Sequence, residues 1–144
     1  MTEPLSVEAQ GEALAAITER LVFELPPGWN HLQLIYAAVG EYTAFSGLLR
    51  MENGGLYGWV PPDDVKDRFA ALRAGMARPD RGSWFQATFR LDYPDAYSVD
   101  FNRTDLPDFA TPPPAEAYAR ELELFPRAEE QIPAWLREGA ASGG

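Results

Sequence analysis

The sequence predicts an α+β domain: an antiparallel β-sheet of about five strands with helices packed on one face, in the order α-βββ-α-ββ-α. Apolar residues recur at helical spacing in some segments and alternate with polar residues in others, and short turns separate the segments. No internal repeat or linker divides the chain. Residues 1–138 are therefore expected to form a single domain, and residues 139–144, "GAASGG", a flexible tail.

The first part of the chain predicts one helix followed by three strands. Ser6 can cap the helix. Leu14, Ile17 and Leu21 recur along it at helical spacing, and the prolines of "LPPGW" cannot continue it. Alternating apolar residues then favour strands joined by short turns such as "ENGG". The predicted elements are a helix over 6–25 and strands starting at 31, over 41–51 and over 56–60.

The second part predicts a helix, two strands and a final helical region. Pro61 and Pro62 introduce the helix, and Asp63 and Asp64 lie at its positively polarised N-terminus. These two acids are therefore interpreted as a helix start and not as a catalytic pair. The predicted elements are a helix over 61–79, strands over 83–91 and 96–102, a helix over 113–124 and a short helical piece over 129–138.

Strict alternation in the two later strands predicts one covered face and one solvated face. Phe85, Ala87 and Phe89 share the covered face. The solvated face combines charged and polar side chains with one aromatic anchor, a composition typical of binding patches. The predicted partner-binding residues, on this face and in the acidic loop after it, are Trp84, Arg90, Asp100, Asn102, Asp105 and Asp108.

The charge balance excludes some classes of partner. The chain contains 22 acidic and 12 basic residues, giving a net charge of −10. This balance argues against nucleic-acid binding, which requires Lys and Arg to neutralise phosphates, and favours a basic partner. "RPDRG" at 78–82 is interpreted as a helix end followed by a turn. The absence of cysteine, of a membrane-length apolar run and of a basic signal sequence predicts a cytoplasmic protein without membrane contact.

The sequence predicts no catalytic, cofactor-binding or metal-binding residues. His31 is the only histidine and lies where a strand is predicted to begin, so no nucleophile–base pair is expected. Zinc prefers Cys and His, and the 100–108 segment lacks the glycine turn of a calcium loop. Its carboxylates, with Glu41 across the sheet, remain a candidate hydrolase pair. Asp and Asn beside Pro are also typical of ordinary loops, which use them to bond their own backbone, and this interpretation is favoured over catalysis.

An ordered series of motifs carries a resemblance to a known family. The motifs are "LPPGWNHLQLIYAAVGEYT", "LRAGMARPDRGSWFQATFRL", "SVDFNRTDLPDF" and "YARELELFPRAEEQIPAWL". Together they resemble the actinobacterial version of the YezG-like immunity proteins, the antitoxins of bacterial polymorphic toxin systems. The resemblance implies a small cytoplasmic α+β protein that neutralises a cognate secreted toxin domain, a nuclease or an NAD-degrading enzyme. It implies stoichiometric binding without cofactor or turnover.

Three functional hypotheses follow from the residues and the resemblance. The main one is an immunity protein whose carboxylates enter a basic active-site cleft of the toxin domain. The first alternative is a chaperone or adaptor for a secreted toxin, which would bind the toxin without inhibiting it. The second alternative is a carboxylate-dependent hydrolase. On the main hypothesis Asp100, Asn102, Asp105 and Asp108 are docking groups, against the alternative of ordinary loop and turn chemistry.

Overall fold

The structure, a computed structural model, describes residues 4–143 and has the predicted α+β architecture. The order α-βββ-α-ββ-α and the five-stranded antiparallel sheet are confirmed, and the helical piece predicted over 129–138 forms a 3₁₀ turn followed by a separate helix. Among residues 4–143, no helix is both long enough and apolar enough to cross a membrane. The elements are α1 (Val7–Glu24), β1 (Trp29–Val39), β2 (Tyr42–Met51), β3 (Leu56–Gly58), α2 (Asp63–Gly75), β4 (Gln86–Asp92), β5 (Ala96–Asn102), α3 (Ala115–Leu124), a 3₁₀ turn (Glu129–Gln131) and α4 (Ala134–Gly143).

The sheet has the strand order β3-β2-β1-β4-β5, with β1 at its centre. All neighbouring strands are antiparallel, and β1 pairs with both β2 and β4 over most of its length. Because side chains alternate along a strand, residues paired across strands share one face of the sheet. Leu32, paired with Leu49 and Leu91, therefore marks the face opposite to that of Gln33.

Helices α1 and α2 cover the face that carries Leu32. Ser6 caps α1 as predicted, its Oγ accepting a hydrogen bond of 3.1 Å from the Ala9 N–H. The core between the two helices and the sheet is apolar and fully buried at its centre. It includes Ile17, Leu21, Leu32, Leu34, Tyr36, Phe69, Leu72, Phe89 and Leu91. Burial of this apolar surface is the main favourable term in the stability of the domain.

Helix α2 ends at Gly75, earlier than predicted, because the chain then makes a tight turn. The Arg78 N–H donates to the Gly82 carbonyl at 2.9 Å, and the Gly82 N–H donates back to Arg78 at 3.1 Å. Asp80 (φ 63°) and Gly82 (φ 67°) both have positive φ, which no helix allows. The turn places Arg78 and Arg81 on the surface and returns the chain toward β4.

Helices α3 and α4 pack together around one end of the sheet. Val39 at the end of β1 and Phe85 before β4 form a second buried cluster with Ala117 and Leu136 of these helices. Trp135 packs edge-on against Phe85, with ring centroids 4.7 Å apart. This second cluster attaches the C-terminal part of the chain to the sheet.

A buried ion pair joins α2 to α3. Arg73 Nη2 pairs with Glu121 Oε1, and both side chains are almost fully buried. Glu121 Oε1 also accepts a 2.7 Å hydrogen bond from the Gly40 N–H in the β1–β2 turn. Arg73 Nε donates to the Trp84 carbonyl at 2.8 Å. The pair therefore connects two helices, a strand turn and the segment before β4.

The expected flexible tail at 139–144 is helical as far as the structure describes it. Helix α4 continues to Gly143, and residue 144 lies outside the described residues. A Cβ at Gly139 would lie 2.4 Å from the Tyr118 ring, so glycine permits close approach of α4 to α3 at this point. Trp135 and Leu136 in the first turn of α4 belong to the second cluster, and the helix continues through Gly139.

Candidate functional site

The sheet face opposite α1 and α2 presents polar and apolar side chains to solvent. Successive cross-strand rows define this open face, and its members are half-buried or exposed. The open face consists of His31, Gln33, Ile35, Ser46, Leu48, Arg50, Thr88, Arg90, Asp92, Ser98 and Asp100, with Leu56 of β3 beside Arg50. The sequence prediction of one covered and one solvated face is confirmed in part: β4 alternates as predicted, but Ala37 and Val39 lie on the open-face side of β1 and are buried. Val39 packs against Ala117 and Leu136, so α3 and α4 cover that end of the face.

Two leucines make part of the open face apolar. Leu48 is 46% exposed and Leu56 is 61% exposed. They lie on neighbouring strands, where Leu48 pairs with Gly58 and Leu56 with Arg50. Sequence reasoning did not single them out, because a leucine in a short strand usually faces a core. Exposed leucines beside charged residues are a composition found in protein-binding patches.

Arg90 and Asp100 lie together on the open face, as predicted. Arg90 Nη1 and Asp100 Oδ2 form an ion pair of 2.7 Å, between diagonal neighbours on β4 and β5. The Asp100 side chain is 79% exposed. A pair this exposed contributes little to stability, since water screens it and both side chains lose rotamer freedom. Both groups are therefore accessible to a partner.

The prediction that Trp84 is an exposed aromatic anchor is wrong. Strand β4 begins at Gln86, and the chain bends at Phe85, so the strand alternation does not extend back to residue 84. Trp84 is fully buried on the covered side, with its ring 5.8 Å from Tyr36 and 5.2 Å from Phe101. Its Nε1–H donates to Met76 Sδ at 3.2 Å. A partner has no access to this side chain.

Asn102 serves the loop that follows β5. Its Oδ1 accepts hydrogen bonds from the N–H groups of Thr104 (3.2 Å) and Asp105 (3.0 Å). Its Nδ2 donates to the Asp105 carbonyl at 2.9 Å. Trp135 Nε1 further fixes the loop by donating to the Thr104 carbonyl at 2.8 Å. This geometry matches the loop-chemistry alternative for Asn102, whose amide closes the turn.

Asp105 and Asp108 are exposed carboxylates on a loop held in place by these hydrogen bonds. Asp105 Oδ1 accepts a long hydrogen bond of 3.5 Å from Thr104 Oγ1. Neither carboxylate forms an ion pair with a residue in 4–143. Both remain candidates for contact with a basic partner.

The remaining acidic and imidazole groups do not form a metal centre within the described part of the chain. No group of three or more His, Cys, Asp or Glu side chains in that part is arranged to hold a metal ion. His31 Nδ1 lies 2.7 Å from Asp92 Oδ1 at the edge of the open face.

A second charged site was not predicted from the sequence. Four arginines surround a cavity of about 410 Å³ near the end of the sheet. They come from the turn after α2, the loop after β5 and the segment after α3: Arg78, Arg81, Arg103 and Arg127. We call this cavity the arginine pocket. In the sequence, these four of the 12 basic residues occur in three separate segments, "ARPDRG", "FNRT" and "FPRA". Their proximity depends on the tertiary fold, so the sequence alone does not predict the site.

Comparison of the chain with protein-family models and with curated proteins finds no match. The resemblance to the YezG-like immunity proteins therefore stays a prediction.

Proposed function

We propose that this protein is a cytoplasmic immunity protein that binds a cognate secreted toxin domain and blocks the toxin's active site. The observation that carries the proposal is the open face, where Leu48 and Leu56 are exposed beside charged residues on a rigid sheet. A domain with one uncovered sheet face of this composition is suited to bind another protein over that face. The motif resemblance supplies the class of partner.

Electrostatics supports a basic partner. The net charge of −10 would speed association with a positively charged toxin cleft, and screening by salt would weaken that effect. Asp100 is exposed on the open face, and Asp105 and Asp108 are exposed on the loop after β5, where they are accessible to basic groups of such a cleft. Asn102 and Trp84 have structural roles in this proposal, in the loop and in the core.

The test is inhibition of the toxin domain encoded by the neighbouring gene, measured by titration with the purified chain at two salt concentrations. We expect complete inhibition at a one-to-one ratio, with a lower association rate at the higher salt concentration. Binding without inhibition would instead support a chaperone or adaptor. Absence of any binding would contradict the proposal.

A matched pair of variants tests the open face directly. Leu48→Arg places a bulky positive charge on the open face, and we expect it to weaken inhibition about tenfold or more. Leu124→Arg is the control, because Leu124 on α3 is similarly exposed (39% against 46%) but lies outside the open face. Equal losses in the two variants would exclude the open face as the docking surface.

The acidic loop is tested by removing two charges at once. We expect Asp105→Asn combined with Asp108→Asn to slow association about threefold to tenfold at low salt. Glu12→Gln combined with Glu19→Gln is the matched control, since it removes two exposed charges from α1. An equal effect of both double variants would show that net charge, and not the loop, determines the association rate.

A further inference from the structure

The arginine pocket concentrates positive charge on an acidic protein. Its lining consists of the four arginines with Thr104, Glu130, Gln131, Ile132 and Pro133. Among residues 4–143, Glu130 is therefore the single carboxylate that lines a cavity shared by four guanidinium groups. The pocket contains none of the residues assigned above to toxin binding, so the inference that follows goes beyond the proposed function.

Arg127, one of the lining residues, is fixed by contacts with the protein. Its Nη2 donates to the Ser83 carbonyl at 2.8 Å, and its Nη1 donates to the Gln131 carbonyl at 2.9 Å. Its guanidinium carbon lies 4.7 Å from the centre of the Phe85 ring, in a cation–π contact. The Ala128 N–H also donates to the Asp80 carbonyl at 2.7 Å, which holds this segment against the turn after α2. These contacts hold the Arg127 side chain in position without a ligand.

The other three guanidinium groups have no ion pair with any residue in 4–143. In contrast, carboxylates pair with several arginines elsewhere in the fold: Arg20, Arg68, Arg73, Arg90 and Arg120. The chain has 22 acidic residues, so carboxylates are plentiful. Their scarcity around this one cavity leaves the guanidinium donors available to an external anion.

The arginines of the pocket also repel one another, and this repulsion is seen in their pKa values. Burial, followed by the charge of Arg78, lowers the pKa of Arg103. Burial also lowers the pKa of Arg127, and the charges of Arg73 and Arg103 lower it further against an opposing effect of Glu121. Both arginines are half-buried. An anion in the pocket would stabilise these charged forms, because opposite charges interact more strongly away from bulk water.

We propose that the arginine pocket binds a small organic phosphate, with its phosphate oxygens on the guanidinium groups and its carbon framework against Ile132 and Pro133. Guanidinium forks match phosphate oxygens in a bidentate manner. Several cationic groups favour a ligand with more than one negative charge, and a phosphate group is doubly charged near neutral pH. The volume of about 410 Å³ is that of a small-molecule site and exceeds the needs of a single phosphate ion.

The test is isothermal titration calorimetry of the full chain with ADP as probe, at constant ionic strength. Pyrophosphate and citrate serve as comparison ligands, one with the phosphates alone and one with carboxylates alone. We expect ADP to bind at one site per chain and more tightly than either comparison ligand. Saturable binding that citrate reproduces with equal affinity would overturn the assignment to phosphate, and absence of saturable ADP binding would overturn the site.

Charge-removing variants localise the binding. We expect Arg103→Gln to weaken ADP binding about tenfold or more, because a hydrogen bond to a charged group is lost. Arg68→Gln is the matched control, since Arg68 is an exposed arginine on α2 outside the pocket. An equal weakening in both variants would overturn the proposal by attributing binding to net charge.

A spectroscopic measurement covers the case in which a variant alters the fold. Addition of ADP to the unmodified, ¹⁵N-labelled chain should shift the amide signals of Thr104 and Gln131, which line the pocket. The amides of Leu48 and Ser98 on the open face should not shift. Shifts confined to the open face would contradict the pocket assignment.

Discussion

At the scale of single residues, the buried pair of Arg73 and Glu121 is the point where one substitution has the largest expected effect. Glu121 is completely buried and contacts both Arg73 and the Gly40 N–H. Glu121→Ala leaves the Arg73 charge buried without its carboxylate. We expect a loss of about 3–5 kcal/mol in the free energy of unfolding, measured by urea denaturation.

Glu123→Ala is the control for this prediction. Glu123 lies on the same helix and pairs with Arg120, but its side chain is 65% exposed, so we expect a change below about 1 kcal/mol. If the two variants were equally stable, the buried pair would not connect α2 and α3 energetically. The sequence pattern of α3 does not predict the burial of Glu121, because a glutamate in a helix is usually solvated.

Trp84 illustrates the limit of sequence reasoning at this scale. Its neighbours Phe85, Gln86 and Ala87 fit an alternating strand, and extending the pattern back by two residues placed Trp84 on the solvated face. A bend of one residue at Phe85 breaks the alternation, so both Trp84 and Phe85 become buried in different clusters. Period-two patterns carry no information about such a bend.

At the scale of elements, the β1–β2 turn determines how closely α3 approaches the sheet. Gly40 has φ 62°, and a Cβ there would lie 2.4 Å from the Ala117 carbonyl oxygen of α3. Gly40→Ala therefore combines backbone strain with displacement of a helix. We expect it to cost about 3 kcal/mol or more in the free energy of unfolding, measured by thermal or urea denaturation.

Gly54→Ala is the matched control for Gly40→Ala. Gly54 also has positive φ, at 86°, but a Cβ at this position would meet no atom of residues 4–143 within 4 Å. We expect Gly54→Ala to cost about 1 kcal/mol, from backbone conformation alone. If both substitutions had the same cost, the close approach of α3 would not depend on the absence of a side chain at residue 40.

The elements themselves were largely predictable, because each carries a local signal. The cap at Ser6, the prolines before α2 and the alternation of β4 and β5 all determine structure within a few residues. The end of α4 was not predictable in this way. The sequence "GAASGG" has the composition of a tail, and its helical part packs through Gly139 against Tyr118, which is distant in sequence.

At the scale of the whole molecule, the two candidate sites differ in how the sequence encodes them. The open face follows from alternation in strands that are continuous in sequence, so Arg90 and Asp100 could be placed correctly. The arginine pocket combines the turn after α2, the loop after β5 and the segment after α3, and Arg81 meets Arg127 in an isolated bridge. Such a site emerges only after the elements pack together.

Because charge is distributed unevenly over the molecule, substituting two of its arginines should have opposite effects on the Tm. Arg73 is buried with a carboxylate partner, whereas Arg103 is half-buried among like charges. We expect Arg73→Gln to lower the Tm by about 10 °C or more, because it leaves Glu121 buried without its counter-ion.

Arg103→Gln should leave the Tm unchanged or raise it slightly in the absence of ligand, because it removes a positive charge that burial and Arg78 disfavour. The same variant should lose most of the increase in Tm that ADP produces in the unmodified chain, since only ligand bound to the folded state stabilises it. Differential scanning calorimetry with and without ADP measures both effects on one sample. A Tm of Arg103→Gln as low as that of Arg73→Gln would show that Arg103 stabilises the fold and would contradict a pocket that holds its positive charge for a ligand.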